Sequence, residues 1–486
     1  MKRIIDCKMW NVPVRCIALC ACVLLAVSCG NSAEAEPKNV KPAEDADKLT
    51  EYGTPSVTFD SPGTDSGVML QAFTWESHKQ GGTWWNTIEQ QAESIKQSFE
   101  YVWLAPCTDS LSENGYLPRE LNVFDSKYGT ESDLRAALNA LAPAKPIADI
   151  VINHRVGTTS WGDFTNPDWD VVKGSDYRAI CSDDEGYTNE PSFMGAVPLS
   201  MRGAKDTGDG YNSGRDIDHT NTTVQQGIVT WMKSLKDMGF AGWRYDYVRG
   251  FDGKYVGYYN AETDAAFSVG ELWPDNYSVS GWTQKFEAWV NATSQELNGT
   301  VGKASRVFDF TLKGVFNEVF GRSSGAKNSN YGKLADENIF FRKQPNSAVT
   351  FVENHDTAST QKHWPQDKND LGTEYAFILT HPGVPCVSAE HYFTSGTSDC
   401  IGGKTVPGTT MTYKNHIDYL IALRNQCGIQ SDSKLEVLKA ESSLYAAKII
   451  GDTASVVVAV GEDPASYSAP EGFSPLYSGT NWQIWK

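Results

Sequence analysis

The sequence has 486 residues, of which 12% are aromatic, and its formal net charge is −18 at pH 7. This length allows a large buried core, since a (β/α)8 barrel alone takes about 250 residues. The acidic balance argues against a nucleic-acid partner, because binding to phosphates requires a basic face.

Residues 1–29 have the pattern of a signal peptide. Basic residues precede an apolar stretch at 16–27, which is too short to span a bilayer because about 20 residues are needed. Residues 25–29 (Leu-Ala-Val-Ser-Cys) resemble a bacterial lipoprotein lipobox, with Cys29 as the lipidated residue. An ordinary secretory signal with an incidental cysteine is the alternative.

Residues 30–50 are rich in Ala, Glu, Lys, Asp and Pro, a composition that predicts a disordered tether. If Cys29 is lipidated, this N-terminal anchor would be the attachment to a membrane. The expected location is then the outer membrane, the periplasm or the cell surface, and without lipidation the protein would be secreted.

Five cysteines lie beyond the predicted signal peptide. Their spacing shows neither a paired zinc motif nor a clear disulfide framework. Two bridges at most could form, and buried free thiols are an equal alternative. These residues are Cys107, Cys181, Cys386, Cys400 and Cys427.

Apolar, β-rich runs alternate with helical patterns along most of the remaining chain. The alternation predicts a parallel sheet, and the number of strand candidates predicts its closure into an α/β TIM barrel, (β/α)8. Predicted helices include 84–98, 134–141 and 224–238. The predicted strands are 67–73, 101–104, 147–153, 240–245, 266–271, 306–310, 348–352 and 384–388.

Two regions interrupt this alternation. A Gly-, Asp-, Asn- and Pro-rich stretch predicts a long irregular insertion after the third strand, and β-like runs at 443–450 and 454–460 predict a small C-terminal antiparallel β domain. After the signal peptide and tether, the predicted organisation is barrel at 51–156, insertion at 157–223, barrel at 224–405 and C-terminal domain at 406–486.

Three carboxylates, Asp246, Glu271 and Asp356, come at or just after the ends of predicted strands. A barrel strand presents its functional side chain at its C-terminal end, so the three are expected to meet at one mouth of the barrel. Glycoside hydrolysis with retention needs a nucleophile and an acid/base, and a further carboxylate can orient the sugar.

The neighbours of these carboxylates favour different protonation states. Arg244 and Asp246 alternate along one strand and therefore share a face, and a guanidinium favours the ionised carboxylate that a nucleophile needs. Apolar residues around Glu271 raise the pKa of its carboxyl group by desolvation, as a general acid requires. Taken singly, these features are more often a structural ion pair and a solvated residue. Together, in this order and at strand spacing, the three carboxylates are a strong signal.

Four longer segments carry a family resemblance: 148–155 (ADIVINHR), 242–249 (GWRYDYVR), 269–273 (VGELW) and 351–361 (FVENHDTASTQ). They are similar to the α-amylase family of retaining glycoside hydrolases, and closest to its plant-type members. The resemblance extends over about 68–393. Beyond the barrel it is limited to the size and β-like character of the C-terminal region.

The resemblance implies a role for each site residue. Asp246 would be the nucleophile, Glu271 the acid/base, and Asp356 the residue that holds hydroxyls of the distorted sugar. The residues around the same sugar ring would be Tyr116, His154, Arg244 and His355.

The resemblance also implies Ca²⁺ where the insertion meets the barrel, bound by oxygen ligands as hard cations prefer. Gly210 stands where the plant pattern has an Asp, and Asp209 lies one residue early, so one Ca²⁺ is expected and further ions stay open. The alternative is that the acidic and amide residues only form turns. The implied ligands are Asn153, Asp206, Asp216 and the backbone carbonyl of Gly250.

The sequence therefore predicts a monomeric, endo-acting α-amylase whose partners are starch and malto-oligosaccharides. One alternative is a family member that cleaves α-1,6 bonds, transfers glucosyl units or prefers short maltodextrins. Another is a surface lipoprotein that captures starch without cleaving it. The three intact carboxylates argue against this last hypothesis.

Overall fold

The structure, a computed structural model, describes residues 61–189, 194–195, 197–273, 277–321 and 329–486. The predicted signal peptide and tether lie outside these ranges. Within them, no helix is both long enough and apolar enough to cross a membrane.

Eight parallel strands in the described ranges close into a barrel, in which each strand pairs with the next in the chain and the last pairs with the first. Apart from the partly exposed Lys145, every residue in them is buried, which suits the core of a parallel barrel. The predicted (β/α)8 fold is confirmed. The strands are Met69–Gln71, Tyr101–Trp103, Lys145–Ile150, Gly242–Tyr245, Ser268–Gly270, Arg306–Phe308, Ala348–Phe351 and Val384–Ser388.

Helices separate these strands along the chain, and their ends follow local capping. The predicted helix at 134–141 begins three residues earlier, at Glu131, because the Thr130 side chain accepts a hydrogen bond from the Asp133 amide. The longer helices are Trp84–Ser98, Glu131–Leu141, Thr222–Met238, Gly253–Glu262, Val279–Thr293, Phe310–Phe320, Leu371–Ile378 and Tyr413–Cys427. Shorter helices are Gly186–Asn189, Phe340–Lys343 and Ala389–Tyr392.

The insertion after the third barrel strand has little regular structure. Its two ends are joined by an antiparallel pair, in which His154–Arg155 lies against Arg215–Asp216. The sequence predicted that the third strand extends to Asn153. In the structure this strand ends at Ile150, and Asn153 follows it. The two residues that the pair places opposite each other, His154 and Asp216, are both predicted site residues.

The C-terminal region forms a five-stranded antiparallel sheet, which confirms the predicted β domain. In chain order its strands are Lys434–Glu441, Leu444–Ile450, Ser455–Gly461, Pro475–Gly479 and Trp482–Trp485. The last strand pairs between the third and fourth. Tyr445 from this sheet lies with its hydroxyl 2.9 Å from Nε2 of His381, which ties the sheet to the barrel.

The five cysteines of the described ranges are all free, and only Cys400 is partly exposed. Burial raises the pKa of the Cys107 and Cys386 thiols, which keeps them protonated. The sequence left open whether these cysteines form disulfide bridges or remain free. In the structure they are free thiols.

Candidate active site

The C-terminal ends of the barrel strands open into a cavity of about 670 Å³. The three predicted carboxylates, Asp246, Glu271 and Asp356, all line it. They follow the fourth, fifth and seventh strands, and parallel strands bring such residues to the same mouth. The structure therefore brings together residues up to 110 positions apart in the chain, from Asp246 to Asp356.

Arg244 lies fully buried behind the carboxylates and contacts three acidic groups. Its Nη1 atom lies 2.7 Å from Oδ1 of Asp246 and 2.8 Å from Oδ1 of Asp149. Its Nη2 atom lies 2.8 Å from Oε1 of Glu271, close enough for an ion pair although the angles do not form a hydrogen bond. One cation thus holds two cavity carboxylates beside each other.

Burial influences the carboxyl groups more strongly than Arg244 does. Removal from water raises the pKa of Asp246 to about 6, although Arg244 lowers it. Burial also raises the pKa of Glu271 and, helped by the charge of Glu271, that of Asp356. The predicted direction of the Arg244 effect is right, but desolvation outweighs it because the whole site is shielded from water.

His355 and Tyr116 form a stacked polar pair beside Asp356. Their rings are 5.4 Å apart and nearly parallel, and Nε2 of His355 lies 2.9 Å from the Tyr116 hydroxyl and 3.3 Å from Oδ2 of Asp356. The Tyr116 hydroxyl in turn donates to Oδ2 of Asp149 at 2.9 Å. Trp75 continues the stack, with its ring 6.2 Å from that of Tyr116.

His154 lies behind the cavity wall instead of lining it. The ring of Tyr211, which does line the cavity, stacks on His154 at 4.1 Å. Nε2 of His154 donates to the backbone carbonyl of Tyr116 at 2.9 Å, and burial lowers the pKa of this imidazole to about 4. Of the four predicted sugar-binding residues, Tyr116 and His355 line the cavity, whereas His154 and Arg244 support it.

An aromatic wall on one side of the cavity was not predicted from the sequence. Trp273 stacks on Trp364 at 6.4 Å, and Tyr277 meets Trp364 edge to face at 5.5 Å. Tyr277 can approach this closely because Gly314 has no side chain, and a Cβ there would lie 1.9 Å from the tyrosine ring. The wall consists of Trp273, Tyr277, Trp282 and Trp364.

Other functional positions were also missed. Asp149 had a usable signal, since it is a charged residue in an apolar predicted strand. Trp75, Tyr211 and Tyr247 had none, because aromatic residues are as often part of the core.

The predicted calcium ligands lie on adjoining segments where the insertion meets the barrel. Asn153 directly precedes the strand pair that contains Asp216. A Cβ added to Gly250 would lie 1.8 Å from Oδ1 of Asn153, so the amide oxygen sits against this glycine. The loop after Asp206 packs on the same backbone, since a Cβ on Gly208 would lie 2.4 Å from the Gly250 carbonyl carbon.

Asp216 has an unsatisfied oxygen of the kind that a cation binds. Its Oδ1 atom is buried and accepts no hydrogen bond from the described residues. Burial and the nearby Asp206 carboxylate raise the pKa of Asp216 to about 8. Carboxylate, amide and carbonyl oxygens gathered around such an atom are the donor set that Ca²⁺ prefers.

An acidic group beside this site was not predicted. Oxygen atoms of Asp184, Glu185 and Asp216 lie within 4.8 Å of one another. Arg215 partly neutralises the group by pairing with Asp184 at 2.5 Å and Glu185 at 2.7 Å.

Asp209 does not replace the carboxylate that is missing at position 210. Its Oδ2 atom pairs with Nη2 of Arg249 at 2.6 Å, and its amide donates to the Arg249 carbonyl. A Cβ at Gly210 would lie 3.8 Å from Oδ2 of Asp216, so a longer side chain there could reach that group.

Known families match most of the chain. Residues 71–391 match the family described as alpha amylase, catalytic domain, and residues 426–486 match the alpha-amylase C-terminal beta-sheet domain. Over 402 residues the chain is 35% identical to probable alpha-amylase 2 of Arabidopsis thaliana, covering 79% of this chain and 86% of that protein. It is 32% identical over 454 residues to alpha-amylase 3, chloroplastic, of the same plant, covering 88% of this chain and 45% of that longer protein.

Solved structures share the fold at lower sequence identity. An alpha-amylase from Malbranchea cinnamomea matches with a TM-score of 0.59 and 18% identity, covering 86% of this chain and 96% of that one. An alpha-amylase from Geobacillus thermoleovorans, complexed with acarbose, matches with a TM-score of 0.58 and 14% identity, covering 86% and 98% of the two chains.

Proposed function

Because the chain belongs to the α-amylase family of glycoside hydrolases, we propose that it is an endo-acting α-amylase that hydrolyses α-1,4-glucosidic bonds of starch with retention. One observation carries the proposal. A single buried guanidinium, that of Arg244, contacts the carboxylates of Asp246 and Glu271 at the cavity. This limits the separation of the two carboxyl groups, which suits the spacing of roughly 5 to 5.5 Å typical of retaining enzymes.

In the first step, Asp246 attacks the anomeric carbon of the bound glucosyl unit while Glu271 gives its proton to the glycosidic oxygen. The bond to the leaving chain breaks, and a covalent glucosyl ester forms on Asp246. The raised pKa of Glu271 keeps its proton available, and Arg244 stabilises the ionised form of Asp246.

In the second step, Glu271 takes a proton from water, and the resulting hydroxide displaces Asp246 from the sugar. The two inversions restore the α configuration, and Glu271 is reprotonated for the next cycle. Arg244 remains close to both carboxylates and compensates whichever one is ionised.

The cavity lining supports a glucan as the substrate. Asp356 and His355 lie beside each other and can bind neighbouring hydroxyl groups of one ring. Tyr116 and Trp75 offer parallel faces on that side, and the aromatic wall offers further faces on the other. Sugar rings stack on such faces through their apolar C–H groups. The proposed substrates are therefore starch and malto-oligosaccharides.

We propose one resident Ca²⁺ held by Asn153, Asp206, Asp216 and the carbonyl of Gly250. When bound, the ion would cross-link the insertion to the barrel and would supply no catalytic chemistry. The buried Oδ1 atom of Asp216 is the observation that supports it. Tyr211 connects this place to the cavity, since its amide lies 3.2 Å from Oδ2 of Asp216.

Clearing of an iodine–starch complex tests hydrolysis, and product analysis on amylose and pullulan tests the bond and the mode of attack. The proposal expects rapid loss of iodine colour, mixed malto-oligosaccharides from amylose and little attack on the α-1,6 bonds of pullulan. Asp246→Asn is the inactive control. Starch binding without clearing would instead favour the capture protein, and cyclic or elongated products would favour a transferase.

A further inference from the structure

Gln71 lies below the cavity and has no place in the proposed chemistry. It is the last residue of the first barrel strand, and its side chain is fully buried. Its amide nitrogen lies 2.7 Å from Nδ1 of His355, a residue 284 positions later in the chain. This contact bears on which nitrogen of His355 carries the proton.

The ring of His355 is enclosed mainly by aromatic side chains. Among the described residues, its polar contacts are with Gln71 at Nδ1 and with Tyr116 and Asp356 at Nε2. The ring centroids of the enclosing residues lie between 4.9 and 6.1 Å away, and these residues are Phe73, Trp75, Trp103 and Tyr116.

The hydrogen bonds on the Nε2 side indicate which tautomer is present. Tyr116 has one hydroxyl proton and donates it to the carboxylate of Asp149, which can only accept. The Tyr116 oxygen, 2.9 Å from Nε2 of His355, must therefore accept from that nitrogen. Oδ2 of Asp356 lies 3.3 Å from Nε2 on the same side. Nε2 thus carries the proton.

In a neutral imidazole, a proton on Nε2 leaves Nδ1 as an acceptor, so Gln71 must present its NH2 group there. The reversed amide would place Oε1 of Gln71 against Nδ1 and would require the proton on that nitrogen. Nε2 would then face the Tyr116 oxygen without a proton between them. The hydrogen-bond network as a whole selects the orientation of the amide.

We propose that Gln71 is a positioning residue that, together with Tyr116 at the opposite ring nitrogen, holds His355 in the tautomer with its proton on Nε2. The inference rests on the proposed function, because it assumes that Nε2 of His355 meets the reacting sugar. In this tautomer the Nε2 proton, which faces the Tyr116 oxygen in the free protein, can be donated to a sugar hydroxyl oxygen when substrate binds. In the other tautomer Nε2 could only accept a hydrogen bond. Gln71 acts through His355 and is not itself exposed to the cavity.

Two variants separate this role from simple packing. Gln71→Met keeps the length of the side chain and removes the amide. Gln71→Glu keeps the shape and places acceptor oxygens against Nδ1, which favours a proton on that nitrogen. Gln90→Met, on the exposed side of the helix Trp84–Ser98, is the matched control. If Gln71→Glu does not fold, Gln71→Met decides the question.

Nitrogen-15 NMR of the histidine-labelled full chain reads the tautomer without turnover, and the signals lost in His355→Asn identify His355. The expected wild-type pattern is a protonated Nε2 and an unprotonated Nδ1. In Gln71→Glu, Nδ1 gains a proton. In Gln71→Met only Tyr116 still favours a proton on Nε2, so a fraction of the form protonated on Nδ1 appears. A wild-type proton on Nδ1, or an unchanged pattern in both variants, would overturn the proposal.

Kinetics on amylose give the second measurement. We expect kcat/KM to fall about tenfold in Gln71→Met, the effect of one hydrogen bond, and further in Gln71→Glu, mainly through kcat. Gln90→Met should match the wild type. Wild-type hydrolysis with undiminished rates in both Gln71 variants would refute this inference alone. The expected tautomer in a protein that does not cleave starch would refute the proposed function alone.

Discussion

Nη1 of Arg244 lies 2.7 Å from Oδ1 of Asp246, two residues further along the same barrel strand. Side chains two apart on a strand share a face, so strand geometry alone brings the two groups together. The contact keeps a buried carboxylate accessible to ionisation, because the guanidinium offsets part of the desolvation that raises the pKa of Asp246.

The two catalytic carboxylates should fail in different ways. Asp246→Asn should lower kcat at least about a thousandfold, because no nucleophile remains. Glu271→Gln should be equally slow on starch, but with an activated leaving group it should form the glucosyl intermediate quickly and then stall, because no base activates water. Stopped-flow release of the leaving group, with mass spectrometry of the enzyme, separates the two.

The same assignment fixes the anomer of the first product. NMR of fresh product should show the α-anomer before mutarotation. An initial β-anomer, or a trapped sugar on a residue other than Asp246, would contradict the proposed mechanism.

The pH profile of kcat/KM should be bell-shaped. Asp246 must be ionised, and its pKa is raised to about 6, so activity should fall as the pH drops through that range. Glu271 must be protonated, so activity should fall again at higher pH, above the raised pKa of that group. Arg244→Gln should move the acidic limb upward by about one pH unit or more, because a cation that favours ionised Asp246 is lost. An acidic limb that does not move would argue against this coupling.

Calcium removal should destabilise the fold. A ligand that binds only the folded state stabilises it by about 2.7 kcal/mol at a hundredfold excess over its Kd. A chelator should therefore lower the Tm of the wild type, and Asp216→Asn should largely abolish this response. Asp264→Asn, at an exposed acid between the helix Gly253–Glu262 and the fifth strand, is the control and should respond like the wild type. A wild-type Tm unaffected by chelator would count against the site.

The lipobox-like motif predicts a lipid on Cys29, which lies outside the described residues. Cys29→Ser should leave starch hydrolysis unchanged and shift the protein from the membrane fraction to the soluble fraction. Labelling with radioactive fatty acid checks the modification directly. A wild-type protein that incorporates no label would leave the ordinary secretory signal as the explanation.

Much of the candidate site could be predicted because it depends on strand direction. The polar residues that end apolar runs, such as Asp246 and Glu271, had to reach the same mouth once the sheet was parallel and closed. The predicted helix bounds lie within a few residues of the observed ones. The helix Glu131–Leu141 begins earlier than predicted because the Thr130 cap extends it beyond its apolar pattern.

Contacts between distant residues could not be predicted in this way. Asp149 is 95 residues from Arg244, and the two contact each other because their strands pair side by side in the barrel. His154 lies in a segment that resembles the family, yet the ring of Tyr211, near the far end of the insertion, stacks on His154. The local hydrophobic periodicity of the chain does not predict which aromatic ring packs over which residue.

The sequence by itself determined the barrel, the C-terminal sheet and the position of three carboxylates at strand ends, because hydrophobic periodicity and motif spacing are local properties of the chain. Only the tertiary structure decided how those groups behave. Burial raises the pKa of Asp246 despite Arg244, and the side chain of Asp209 pairs with Arg249 instead of lying with the proposed calcium ligands. Desolvation and pairing depend on what surrounds a residue in space, and barrel closure sets those surroundings.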